Sequence, residues 1–183
     1  MRRALAVLAV VVSLHLACAS SQTTGGIVAG QPQPRKGKVV ILPVEDGKDR
    51  DGKVVGGSGR AVTAALRDGL IARRIAPLVT EQATLVEAVK EAKALSYDYV
   101  MKAVITEWED NATEWSGRPD TAGLSVELYD LTPVLVSTAT HRKKGPSAFG
   151  VRGSPDRFLP ELVQFTLDRI FSETPSADTP SAQ

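Results

Sequence analysis

The chain is poor in the side chains that most often carry chemistry. Its one cysteine is Cys18 and its two histidines are His15 and His141. With Cys18 and His15 both in the N-terminal segment, no Cys/His nucleophile pair or zinc site is expected. A lone cysteine also leaves no partner for a disulfide within the chain. Charge of one sign is missing as well: the formal net charge is +1. That balance lacks the basic field of a nucleic-acid binder, so no nucleic-acid partner is expected. Aromatic residues are scarce at 5%, so the core has to be aliphatic. There is only one long apolar run, from Ala4 to Leu16. At about thirteen residues it is short for a helix crossing some 30 Å of hydrocarbon, which argues against a permanent transmembrane anchor.

What is present begins with that run. Arg2 and Arg3 precede it, and Leu16-Ala17-Cys18-Ala19-Ser20 follows it. A basic start, an apolar middle and a small-residue end describe a secretory signal peptide, residues 1–17. Cys18 at the junction looks like the acylated cysteine of a bacterial lipoprotein. Ala17 and Leu16 suit that pattern, whereas His15 departs from it. Ordinary cleavage after Ala19 is the alternative. By resemblance to enteric lipoprotein sorting, Ala19 in place of aspartate favours the outer membrane. The expected address is therefore the cell envelope, with a lipid anchor at Cys18.

Residues 18–37 then read as the lipidated cysteine and a flexible tether. The stretch carries Gly25-Gly26 and Gln31-Pro32-Gln33-Pro34 and shows no apolar periodicity. As a random coil its roughly eighteen residues from Ser20 would span about 25 Å. Residues 173–183, rich in Ser, Thr, Pro and Ala, read as a disordered tail. A single α/β domain is expected between them, over residues 38–172.

Within that domain, residues 38–45 form a continuous apolar run, expected as a strand buried on both faces. A Gly/Asp-rich loop follows, and Ser58 is placed to cap a helix carrying Val62, Leu66 and Leu70. Residues 77–80 suggest a second strand and residues 81–95 a second amphipathic helix. Residues 97–107 read as a central strand. Residues 124–129 alternate apolar with polar, as a half-exposed antiparallel strand does, and residues 134–140 pair with them. A last helix spans about 157–171, with Phe158, Leu162, Phe165 and Ile170 expected inward. The order β-α-β-α-β-β-β-α predicts a mixed sheet with helices packed against it, its first three strands parallel.

The densest chemistry lies between residues 108 and 120. Trp108, Glu109, Asp110, Glu114, Trp115 and Arg118 crowd both tryptophans among carboxylates and one arginine. In one reading the indoles cap the open edge of the sheet and the acids solvate a hairpin. In another these six residues contact a partner or ligand, because indoles bury large area at small entropic cost. Stacking on sugar rings would make the segment a carbohydrate- or cell-wall-binding module. A glycoside hydrolase built on Glu109 and Glu114 is the least supported, since paired acids alone are a weak signal. No catalytic residue is assigned.

Other motifs read as structural. Gly56-Gly57-Ser58-Gly59-Arg60 opens the first helix but lacks the lysine-hydroxyl ending of a P-loop. Asp46, Asp49 and Asp51 lack the glycine and glutamate spacing of a calcium loop. Neither a metal nor a cofactor is therefore expected. His141-Arg142-Lys143-Lys144 reads as a solvated basic strand end.

Gly57-Ser58-Gly59-Arg60 together with Trp108-Glu109-Asp110, Ala112-Thr113-Glu114-Trp115-Ser116-Gly117 and Asp120 resembles an uncharacterised family of bacterial envelope lipoproteins, known as a domain of unknown function. More distantly, the element order is similar to the periplasmic domain of the curli secretion channel lipoprotein and to the amino-terminal domain of TolB. The resemblance implies assembly and protein contact in place of catalysis. The expectation is a non-enzymatic, membrane-anchored interaction module. It would meet a periplasmic or outer-membrane protein, or further copies of itself as a homo-oligomer, with a glycan as the alternative ligand.

Overall fold

The computed structural model describes residues 20–111, 118–146 and 153–171. The expected signal peptide, Cys18, Glu114, Trp115 and the expected C-terminal tail lie outside the described residues. Six strands form one mixed sheet: β1 (Ser20–Ile27), β2 (Lys38–Ile41), β3 (Ala76–Val79), β4 (Tyr99–Glu109), β5 (Thr121–Tyr129) and β6 (Leu135–Lys144). Three helices accompany them: α1 (Ser58–Ala72), α2 (Leu85–Ala94) and α3 (Leu159–Phe171), the last preceded by a 3₁₀ turn at Pro155–Phe158. The strands lie in the order β1-β6-β5-β4-β2-β3. As expected, β2 runs parallel to both β3 and β4, and the rest of the sheet is antiparallel.

The apolar run of β2 is explained by a helix on each face. Val39 and Ile41 enter the main core with Val62, Leu66 and Leu70 of α1 and Leu162 and Leu167 of α3. Val40 and Leu42 enter a smaller core with Ala88, Val89 and Ala92 of α2. Gly69 lets α1 and α3 approach, since a Cβ there would lie 2.6 Å from Val163 Cγ1. Thr84 caps α2 by accepting from the Glu87 amide, while its hydroxyl donates to the Glu87 carboxylate at 2.8 Å. Glu87 thus answers the cap through the Thr84 hydroxyl, a variant of the capping box, in which the return bond goes to the N-cap backbone amide. On β5, Leu124, Val126 and Leu128 are buried and Ser125, Glu127 and Tyr129 half-buried, which is the expected alternation. No helix of the described residues is long and apolar enough to cross a membrane.

Two details differ from the sequence reading. Residues 20–27, inside the stretch expected to be a tether, form strand β1, paired along its whole length with β6. Its lack of apolar periodicity has a physical reason: it is held by backbone bonds and by hydroxyls, not by a buried apolar face. Phe165 is 43% exposed instead of inward. Its ring lies over His141, the centroids 4.8 Å apart, and so sits at the margin of the core.

Candidate functional site

The quoted motifs converge where the loop after β2, the N-terminus of α1 and the end of β4 meet. Gly57 adopts φ +88°, and a Cβ on Gly59 would lie 2.1 Å from the Val44 carbonyl oxygen. These glycines let the loop fold tightly onto the helix start. Ser58 is not the cap that its position suggested. Its hydroxyl donates to the Val55 carbonyl at 2.7 Å and accepts from the Gly47 amide at 2.9 Å. Two amides at the helix start are taken by Asp46, whose carboxylate accepts from Gly59 at 2.8 Å and Gly57 at 3.1 Å. Those backbone bonds, with Arg60 nearby, hold the Asp46 carboxyl below the usual carboxylate range. The place an outside anion would take at a helix N-terminus is filled from within. Asp49 likewise turns inward on its own loop, accepting from the amides of Asp51 and Lys53. Among the described residues no acidic or histidine cluster is arranged to hold a metal ion.

Trp108 is 2% exposed and belongs to the main core. The reason is a bulge in β4 between Ile105 and Glu107. Upstream, Met101 and Ala103 face the core. The extra residue shifts the alternation, turning Trp108 inward and Glu107 toward Arg142. Arg142 Nε donates to both Glu107 oxygens, at 2.7 and 2.8 Å. Trp108 therefore offers no indole surface for a partner or a sugar ring. It instead forms the floor of a cleft of about 400 Å³ lined by Val55, Gly57, Ser58, Asp110 and Asp156. A larger cleft, about 570 Å³, lies past the carboxyl end of β2 and beside the middle of β4, bounded by Glu45, Lys48, Lys102 and Thr106. Only the smaller one gathers the Gly57-Ser58 and Trp108 motifs.

Asp120 closes the other side. It is 5% exposed, accepts from the Asn111 amide at 3.0 Å and pairs with Arg157 at 2.8 Å. Asn111 Nδ2 donates to the Pro119 carbonyl at 2.7 Å. Asp120 and Asn111 thereby clamp together the two ends of the segment 112–117. Glu109 is half-buried, and Asp110 and Arg118 are exposed; Asp110 and Arg118 are both already engaged in contacts. Glu114 and Trp115 fall in the segment outside the described residues.

A second polar cluster escaped the sequence reading. His141, expected on a solvated strand end, is fully buried. Its Nδ1 lies 2.5 Å from Thr23 Oγ1 and its Nε2 3.1 Å from Ser21 Oγ, both hydroxyls on β1. Glu161 is 3.5 Å away and bridges to Lys143 at 3.0 Å. Burial holds the His141 imidazole below its ordinary value, while Glu161 pulls the other way. Its register partner on β5 is Leu124, a core residue. That pairing was the available signal.

Residues 41–168 match the profile of DUF4823, a family described as a domain of unknown function. The chain belongs to this family. Its DUF4823 domain also resembles a dodecamer of PelC from Paraburkholderia phytofirmans, solved in two crystal forms. Identity is 17%, covering 84% of this chain and 98% of that one, with TM-scores of 0.62 and 0.60. A DUF330 protein from Xanthomonas campestris is also similar, at 11% identity over 80% and 90% of the two chains, TM-score 0.49. No curated relative matches. At these identities the PelC likeness shows the fold alone, a mixed sheet with helices packed on it. No enzyme family is indicated by these matches. The DUF4823 match starts at Ile41, so β1 and the His141 latch to it lie partly beyond the family's own segment.

Proposed function

We propose that this DUF4823 protein is a lipid-anchored envelope lipoprotein that works without catalysis, as a self-assembling interaction module. One observation carries the reading: acids at and beside the glycine and tryptophan motifs are spent on holding the fold together. Asp46 binds the start of α1, and Asp120 binds Asn111 and Arg157. Such groups build a rigid base for the segment between Asn111 and Arg118 instead of a reactive site. Trp115, Glu114, Asp110, Glu109 and Arg118 are then the proposed contact residues at that base, with Trp108 supporting them from below. PelC, of the same fold, forms dodecamers, which supports self-assembly here. Acylation of Cys18 would place the domain at a membrane of the envelope, the outer membrane by the reading of Ala19.

The test is the native mass of the full-length protein extracted from membranes in mild detergent. A defined oligomer, or a fixed ratio with another protein, is the expected result. Cys18→Ser is expected to move the protein from the membrane to the soluble envelope fraction. Trp115→Ala is expected to abolish capture of the partner while leaving the denaturation midpoint unchanged. A monomer that captures nothing at any concentration rules the module reading out.

A further inference from the structure

We infer that the outer edge of β1 is where two copies of this chain join, strand against strand. The proposal deepens the self-assembly reading above and rests on it. Val28 donates its amide to the Val136 carbonyl at 2.9 Å. Counting back by two along the unbroken register with β6, the amides of Thr24 and Gln22 also turn toward β6. Those of Ser21 and Thr23 therefore point away from the sheet. Among the described residues no strand pairs with that side.

Exposed edges in natural sheets are usually blunted by charge, proline or brevity. The opposite edge follows that rule. Strand β3 has four residues, and its Ala76 amide bonds to Gly37 while that of Thr80 bonds to Ile41. The intervening alternation turns position 77 outward, and position 77 is proline. Strand β1 breaks the rule: eight residues, Ser-Ser-Gln-Thr-Thr-Gly-Gly-Ile, without a charge or a proline. A neutral strand can meet its own copy across a twofold axis without like-charge repulsion. Pairing with β3 of the next copy would lose the donor that Pro77 lacks.

A second observation points to the same edge. Phe165 is one of the exposed large apolar residues, and its ring stacks on His141, the residue that holds Ser21 and Thr23. One turn earlier on α3, Glu161 also bonds to Ser21. An exposed aromatic thus stands beside the open backbone. Extending the sheet through β1 would bring the two α3 helices side by side over it, with the two Phe165 rings as central anchors.

The test uses the full chain in mild detergent, with Gln22→Lys, Thr24→Lys and Phe165→Ser variants. Gln22 and Thr24 are exposed and touch neither the core nor His141. The wild type is expected to form dimers or even-numbered assemblies with the Ser21 and Thr23 amides protected from hydrogen exchange. Each lysine variant is expected to weaken association by roughly tenfold or more, with unchanged far-ultraviolet dichroism. An assembly whose Ser21 and Thr23 amides exchange freely, or whose mass survives all three substitutions, overturns this interface while leaving self-assembly standing. A wild-type chain that stays monomeric overturns both.

Discussion

Single side chains set the behaviour of this protein at two positions, Trp108 and His141. Trp108 fills the angle between β4, the β2–α1 loop and the core, and Gly47 packs so close that a Cβ there would sit 3.2 Å from Trp108 Cβ. Trp108→Ala should lower stability by about 3–5 kcal/mol, the usual cost of emptying an aromatic core site. Urea denaturation checks it; a loss below about 1 kcal/mol would place the indole outside the core. His141 answers to pH. Its folded value is depressed, so the stability it contributes is present above 6.5 and lost as pH falls through the lower folded value. Glu161 opposes the shift and Lys143 adds to it, while Ser21, Thr23 and Phe165 face the ring uncharged. Acidification below about 6.5 should then loosen β1 first. Protection of the Gln22 and Thr24 amides should fall between neutral pH and pH 5, and His141→Gln should flatten the response. Equal protection across that range in the wild type contradicts the prediction.

At the scale of elements, the bulge in β4 explains both what was legible and what was not. Helices and strands announce themselves through periodicity: Val62, Leu66 and Leu70 on α1, or Leu124, Val126 and Leu128 on β5, are buried as their spacing implies. An inserted residue leaves no mark in composition, so straight alternation sends Trp108 to the wrong face. Strand β1 was illegible for a different reason. Its partners are backbone groups and one distant imidazole, and neither leaves a local pattern. The clamp at Asp120 is also non-local, joining Asn111 to Arg157 across the 3₁₀ turn. Arg157 also lies over the Phe158 ring at 4.8 Å. Arg157→Ala leaves a buried carboxylate with one fewer partner and should cost on the order of 2 kcal/mol, discounted for the partly exposed guanidinium. The cost of Arg157→Ala should shrink when Asp120 is already asparagine. A double-mutant cycle with no coupling would remove Asp120 as the clamp.

For the whole molecule, one feature changes how the proposed lipid anchor would work. A slack tether of residues 20–37 would have let the domain wander about 25 Å and turn freely. With residues 20–27 docked as β1, only two peptide links would separate Cys18, acylated as proposed, from the sheet, a reach of about 7 Å. The leash becomes a hinge. Copies in one leaflet would then all stand with the same edge toward the lipid, like cards set upright on a table. Their search for one another loses a dimension and most of its rotations before any contact forms, and protonation of one buried imidazole would hand both back.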